Sequence, residues 1–166
     1  MLDQYINLEH DLEIIDQKID SCLDRKKSDK LKKKRQALLS SLYTDLDPWQ
    51  IVAIARHPLR PHGSDVINHI CDSYEALHGD RASGDCPATI CAIARIGSTR
   101  LMIVAHEKGR TMTDRVAHQF GMPEPKGYRK AKRAFLLAQK LQIPVVTLID
   151  TPGAYPGIEA EKQNQS

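Results

Sequence analysis

Val145–Val146–Thr147–Leu148–Ile149–Asp150 runs straight into Thr151–Pro152–Gly153–Ala154–Tyr155–Pro156–Gly157, and this junction decides the fold. A short apolar, β-branched run bounded by turn residues reads as a buried strand. Two prolines and two glycines then force an abrupt loop that leaves backbone N–H groups uncovered. In α/β proteins the loop beyond a strand's carboxyl end is where ligands usually sit. Nine residues follow Gly157, so whatever this corner serves is expected to be completed elsewhere.

Upstream of the junction, Lys126 to Gln142 has the spacing of a helix, with Ala131, Ala134, Phe135, Ala138 and Leu141 on one face. Pro144 ends it. Thr89–Ile96 and Thr99–Ala105 are both strand-like, and Gly97–Ser98 between them reads as a hairpin turn. Strand, strand, helix, strand is a layered α/β pattern, carried by the second half of the chain.

The first half is helical. Over residues 3–24, Leu8, Leu12, Ile15 and Ile19 recur at spacings of four, three and four. Arg25 to Arg35 then holds eight Lys or Arg against one Asp, and Leu38, Leu39 and Leu42 resume the apolar spacing. This predicts two helices, as a charged hairpin or one bent rod. The basic run lacks interleaved aromatic residues, so it reads as a solvated face, and nucleic-acid binding is not expected of it. Asp47–Pro48 opens a short helix from Trp49 to Arg56, closed by His57–Pro58 and Arg60–Pro61. Ser64 is placed to cap another helix reaching about Leu77, where His78–Gly79 stops it.

Composition bounds the function classes. The chain has 166 residues, 41% hydrophobic and 27% charged, with net charge +3, too little to demand a polyanion or an anionic membrane. Cys22, Cys71, Cys86 and Cys91 form no CxxC pair, so a zinc site is unsupported and Cys91 reads as a buried small hydrophobe. Unpaired thiols, no secretory leader and no apolar run near 18 residues predict a cytoplasmic protein without a membrane span.

No phosphate-binding glycine loop, nucleophile elbow or dinucleotide fingerprint is present. His106–Glu107 begins like a zinc-protease helix, but Arg110 stands where its second histidine belongs. His57 and His62 flank two prolines and read as a rigid surface turn. Lys108 and Arg110, either side of Gly109, suit a phosphate or carboxylate as well as they suit an exposed basic turn. Gly79–Asp80–Arg81 reads equally as a capped helix end with a local ion pair. Gly127–Tyr128–Arg129–Lys130 opens the main helix, whose first amides are available to an anion or to capping. The loop offers the Gly153, Ala154 and Gly157 amides, donors suited to a developing oxyanion.

These segments follow one family's order: Ala55–Arg56–His57–Pro58 with Arg60–Pro61, Gly79–Asp80–Arg81, Lys108–Gly109–Arg110, Phe120–Gly121–Met122–Pro123, Gly127–Tyr128–Arg129–Lys130–Ala131 and Asp150–Gly157. The chain resembles the alpha subunit of the carboxyltransferase component of bacterial acetyl-coenzyme A carboxylase, strongly from about Trp49. The resemblance implies an α/β, crotonase-like fold with an N-terminal helical extension, here incomplete: residues 1–46 as the extension and 47–166 as the first part of the carboxyltransferase domain. It implies a carboxyl transfer from biotin on a separate carrier protein to acetyl-coenzyme A, giving malonyl-coenzyme A for fatty acid biosynthesis. The implied partners are a beta subunit, in an alpha2–beta2 assembly, and the biotin carboxyl carrier protein. The family's zinc belongs to the beta subunit, so no metal is expected in this chain.

The same resemblance implies substrate-binding roles for Gly153, Ala154, Tyr155, Gly157, Lys108 and Arg110. Family members continue for about as long again and carry a glycine-rich segment resembling the biotin-side oxyanion hole. No catalytic residue is therefore assigned here, and the polypeptide alone is expected to be inactive and self-associating. Lys126, where Glu is common, and Glu159, Lys162, Gln163 and Asn164 depart from the family pattern. The alternative to an enzyme subunit is a non-catalytic module that binds the beta subunit.

Overall fold

A computed structural model describes residues 9–57 and 59–165. Leu8 and the rest of residues 3–8, expected to open the first helix, lie outside the described residues, as does Pro58 of the Ala55–Pro58 motif. The chain forms two compact units, Met1–Arg60 and Pro61–Ser166.

In the first unit, α1 (His10–Asp20) buries Leu12 and Ile15. The chain breaks at Ser21–Asp24, where the Asp24 carboxylate accepts the Lys26 N–H at 2.9 Å and starts α2 (Arg25–Thr44). The hairpin reading therefore holds. Arg35 binds Asp16 at 2.5 and 3.0 Å and Tyr43 donates to Glu9, so the two helices run antiparallel. The lysines of the basic run are exposed. α3 (Pro48–Ala55) begins at Asp47, whose carboxylate takes the Trp49 and Gln50 amides while Gln50 reaches back to the Asp47 N–H.

The second unit is α/β. α4 (Gly63–Ile70) leads to a four-stranded sheet in the order β1 (Ser73–Ala76), β2 (Thr89–Ile96), β3 (Thr99–His106), β4 (Val145–Leu148). The first three strands are antiparallel, with Gly97 at φ 58° in the two-residue turn between β2 and β3. β4 is parallel to β3, pairing Ile103 with Val146 and Ala105 with Leu148. The crossover carries α5 (Met112–Ala117), a single 3₁₀ turn (Gln119–Gly121) and α6 (Pro125–Leu141). α7 (Ile158–Glu161) follows the Pro–Gly loop.

Strand periodicity splits the core in two. Ile67 of α4 packs on Ala94, Leu101, Ile103 and Ala105 on one face; Ala134 and Ala138 of α6 pack on Cys91 and Met102 on the other. Burying Ile67, Met102 and Ile103 contributes roughly 2 kcal/mol each. The strand–strand–helix–strand order expected from the sequence is present.

Three expectations need correction. The helix beginning near Ser64 ends at Ile70, not Leu77, because the Asp72 N–H pairs with Arg95 O at 2.9 Å and begins strand β1. On α6, Ala134 and Ala138 face inward as expected, but Phe135 and Leu141 are exposed, and Gly127 and Lys130 complete the buried face. The Val145–Asp150 strand is not buried. It ends at Leu148 and is an edge of the sheet, with Val145 41% exposed while Val146 and Leu148 pack against the Ile67 cluster. No helix among the described residues is long and apolar enough to cross a membrane.

Candidate functional site

The carboxyl ends of β3 and β4 lie side by side, so the chain after His106 and the chain after Leu148 share one rim. Glu107 organises the β3 side. It is 7% exposed, and its carboxylate receives the amides of Ser64 (3.1 Å), Lys108 (3.0 Å) and Gly109 (3.1 Å) and faces His62 Nδ1 at 2.9 Å. Burial pushes the carboxyl up, but the Ser64 hydroxyl and amide, the Gly109 amide and His62 outweigh it and bring it down to about 2. One carboxylate thus ties the start of α4 to the end of β3. Gly63 is required there, since a Cβ would sit 2.3 Å from the His106 carbonyl oxygen.

His62 is accordingly not on a surface turn but buried under this carboxylate. The Glu107 role was not legible from its chemistry alone. The available signal was its place between a strand end and Lys108–Gly109, where backbone amides converge.

Lys108 and Arg110 are both in ion pairs within the chain: Lys108 with Asp150, Arg110 with Asp65. The Lys108 stem lies against Gly121, where a Cβ would come within 2.6 Å of its Cγ. The two cations therefore secure the loop after β4 and the first turn of α4.

The Pro–Gly loop is held at several points. The Asp150 N–H donates to His106 Nδ1 (3.2 Å), the Thr151 hydroxyl donates to Gly121 O (2.6 Å), and the Tyr155 N–H donates to Pro123 O (3.1 Å). Gly153, at φ 150°, gives its N–H to the Thr151 hydroxyl oxygen at 3.1 Å. Of the loop amides singled out from sequence, Gly153 is thus occupied. Those of Ala154 and Gly157 have no acceptor among the described residues. The Phe120–Pro123 segment, itself one of the quoted motifs, is the shelf on which this loop rests.

The Tyr155 ring covers Gly157, and a Cβ on Gly157 would stand 2.3 Å from Tyr155 Cε1. Gly157→Ala is expected to swing the ring aside and to cost about 1 kcal/mol, because the obstacle is a movable side chain. Thermal unfolding and the Tyr155 ring resonances measure both effects; an unmoved ring would contradict this packing.

The Gly79–Arg81 and Gly127–Ala131 motifs face one another at the same end of the sheet, where Thr89 pairs with His106. Asp80 accepts the Ala82, Ser83 and Gly84 amides and pairs with Arg129 Nε at 2.8 Å, not with Arg81. Lys130, 3% exposed, reaches Asp85 (2.6 Å) and the carbonyls of Thr89 (2.7 Å) and Cys86 (3.4 Å). Gly127 lies against Thr89 and Cys86. The opening of α6 therefore clamps the 79–89 loop.

A family model described as acetyl co-enzyme A carboxylase carboxyltransferase-like matches residues 3–166. The chain is 50% identical over 138 residues to the acetyl-coenzyme A carboxylase carboxyl transferase subunit alpha of Dichelobacter nodosus, covering 83% of this chain and 43% of that one. It is 50% identical over 137 residues to the subunit of the same name from Azoarcus sp., covering 82% and 43%. The chain spans less than half the length of these curated relatives. Among solved structures, the beta subunit of P. aeruginosa geranyl-CoA carboxylase matches 64% of this chain and 20% of its own, with TM-score 0.48 and 22% identity. A likeness of that size says nothing about function. The match over residues 3–166, supported by half-identical relatives, means that the chain belongs to the acetyl co-enzyme A carboxylase carboxyltransferase-like family.

Proposed function

We propose that this chain supplies the alpha side of a carboxyltransferase that moves a carboxyl group from biotin on a carrier protein to acetyl-coenzyme A, forming malonyl-coenzyme A. The observation that carries the reading is the pair of amides without an acceptor among the described residues, Ala154 and Gly157, on a loop fixed at the carboxyl ends of parallel strands. Such donors suit an oxygen that gains negative charge during transfer, and they need no titrating side chain. Carboxybiotin, when bound, supplies the activated carboxyl group. The Ala154 and Gly157 amides orient its acceptor oxygen, and Tyr155 shapes the wall beside them. Lys108 and Arg110 hold this wall through Asp150 and Asp65; either one reaches a substrate or partner anion only by exchanging its present carboxylate.

The glycine-rich segment implied by the family is not among residues 1–166 and would complete the oxyanion hole, and a beta subunit would hold the thioester. The test is malonyl-coenzyme A formation with beta subunit and carboxylated carrier, with and without a fragment containing the remaining part of a family alpha subunit. Product is expected only when the fragment is present. Turnover without it would remove the need for the second segment, and no turnover with every component present would overturn the enzymatic reading.

A second reading, a binding module for the beta subunit without catalysis, is favoured by the exposed apolar side chains of α6 and β4: Phe135, Leu136, Leu141 and Val145. It predicts beta-subunit binding that persists in the fully reconstituted mixture while no product appears.

A further inference from the structure

The whole Pro–Gly loop departs from the sheet at one peptide, the Asp150 N–H, and that donor is taken by a side chain. A backbone N–H can only donate, so His106 Nδ1 must accept, which requires Nδ1 to be unprotonated. An imidazolium carries hydrogen on both nitrogens and has no lone pair to offer. The bond at 3.2 Å therefore exists only with neutral His106.

The surroundings make this consequential. His106 is the last residue of β3 and sits opposite Thr89 of β2. Asp150, whose amide it accepts, is bound through its carboxylate to Lys108, two residues beyond His106. The charged groups near the ring act in opposition: burial disfavours its charged form, the Asp150 carboxylate favours it, and Lys108 disfavours it again. On α6, Lys130 holds the Thr89 carbonyl and is committed to Asp85. On the α4 side, Glu107 is committed to His62 and three amides, and Asp65 to Arg110. The Asp150–Lys108 pair is thus the charge pair with which the ring's protonation competes.

We propose that His106 is a positioning residue, a clasp for the Pro–Gly loop: its neutral ring fixes the Asp150 amide, and its protonation frees the Asp150 end of the loop from the sheet, so that Thr151–Gly157 is held only by its bonds to Gly121 and Pro123. The proton comes from solvent and lands on Nδ1, and the Asp150 N–H is released to water. The protonated ring then stands beside Lys108 and draws the Asp150 carboxylate from it, which loosens the second tie of the same residue. Restoring neutral pH reverses both changes. The clasp acts on loop order, so it does not depend on the transfer reaction proposed above.

The experiment follows the amides of the full chain by NMR between pH 7.5 and 5. In the parent protein the Asp150 amide shift is expected to move with the same midpoint as the His106 ring protons, below the ordinary histidine value of 6.5. Over that step the Gly153 and Tyr155 amides exchange roughly tenfold faster, after correction for intrinsic rates. His106→Asn places an uncharged oxygen where Nδ1 stood, so it is expected to keep the loop protected and to abolish the pH step. His106→Phe removes the acceptor and is expected to give the fast exchange at every pH. A loop that loosens with the parent's midpoint in His106→Asn, or one that stays protected while the His106 ring titrates, overturns the proposal.

Discussion

Replacing Glu107 by alanine is expected to cost about 4 kcal/mol of stability, because it strips the acceptor from three amides at a buried junction. The Ser64, Lys108 and Gly109 N–H groups belong to two different elements, so no local rearrangement offers them a common partner. His62 loses its neighbour at the same time. Each abandoned buried donor costs on the order of 1 to 3 kcal/mol, discounted for water reaching the rim. Glu107→Gln keeps the volume but turns an NH₂ toward donors, and about half the loss is expected. The sign of the pH dependence follows from the depressed carboxyl. Its stabilisation is complete above the ordinary value of 4.5 and is lost as pH falls toward about 2. Urea unfolding from pH 7 to 3 is therefore expected to show a smaller acid loss in Glu107→Ala than in the parent, the remainder coming from other depressed carboxylates such as Asp80 and Asp85. Equal acid sensitivity in both would sink the assignment.

How far the sequence reveals this molecule depends on whether its signals are local. The β2–β3 hairpin is legible because Gly97–Ser98 and the flanking β-branched runs encode turn and strand together. β1 is not. Val66, Ile67, Ile70, Cys71, Tyr74 and Leu77 keep a helical spacing through the strand, and what ends the helix is pairing of Asp72 with Arg95 and capping of the Gly97 N–H by the Asp72 carboxylate. Both partners are more than 20 residues away along the chain. The face of α6 misleads for another reason. Bulky Phe135 and Leu141 look like core, whereas the helix approaches the sheet closely through glycine and alanine.

The same division applies to the candidate site. Motif order identifies the rim, and the rim is where the structure brings Lys108, Asp150 and the Pro–Gly loop together. Which amides stay free is settled by Thr151 and Pro123 consuming their neighbours, and no sequence pattern announces that. Lys108 and Arg110 look like free cations in the sequence because Asp150 and Asp65 are remote from them in the chain. The family resemblance orders the motifs correctly yet leaves silent that two of them, Gly79–Arg81 and Gly127–Ala131, are bound to each other.

That clamp supports the second large prediction: Lys130→Met is expected to destabilise the second unit by about 3 kcal/mol. Lys130 lies in the Gly127–Ala134–Ala138 stripe, where small neighbours leave room for its chain to cross toward the sheet. Its ammonium is the donor for the Cys86 and Thr89 carbonyls and the partner of Asp85. Methionine fills similar volume, so the loss measures the polar bonds and not a cavity. Asp85 keeps the Gly79 and Cys86 amides and His78, and it is partly open to water, which holds the cost below that of a fully buried orphaned charge. Burial raises the Asp85 carboxyl, but Lys130 and His78 outweigh it and hold it well below the usual range, so Lys130→Met is expected to move its titration upward. Adding Asp85→Asn to Lys130→Met is expected to recover about 1 kcal/mol, since the remaining charge is then removed. Denaturant unfolding of the two single variants and the double variant closes the cycle. A loss under 1 kcal/mol for Lys130→Met, or strictly additive effects, would mean that the opening of α6 is held by apolar packing and that the 79–89 loop is free of it.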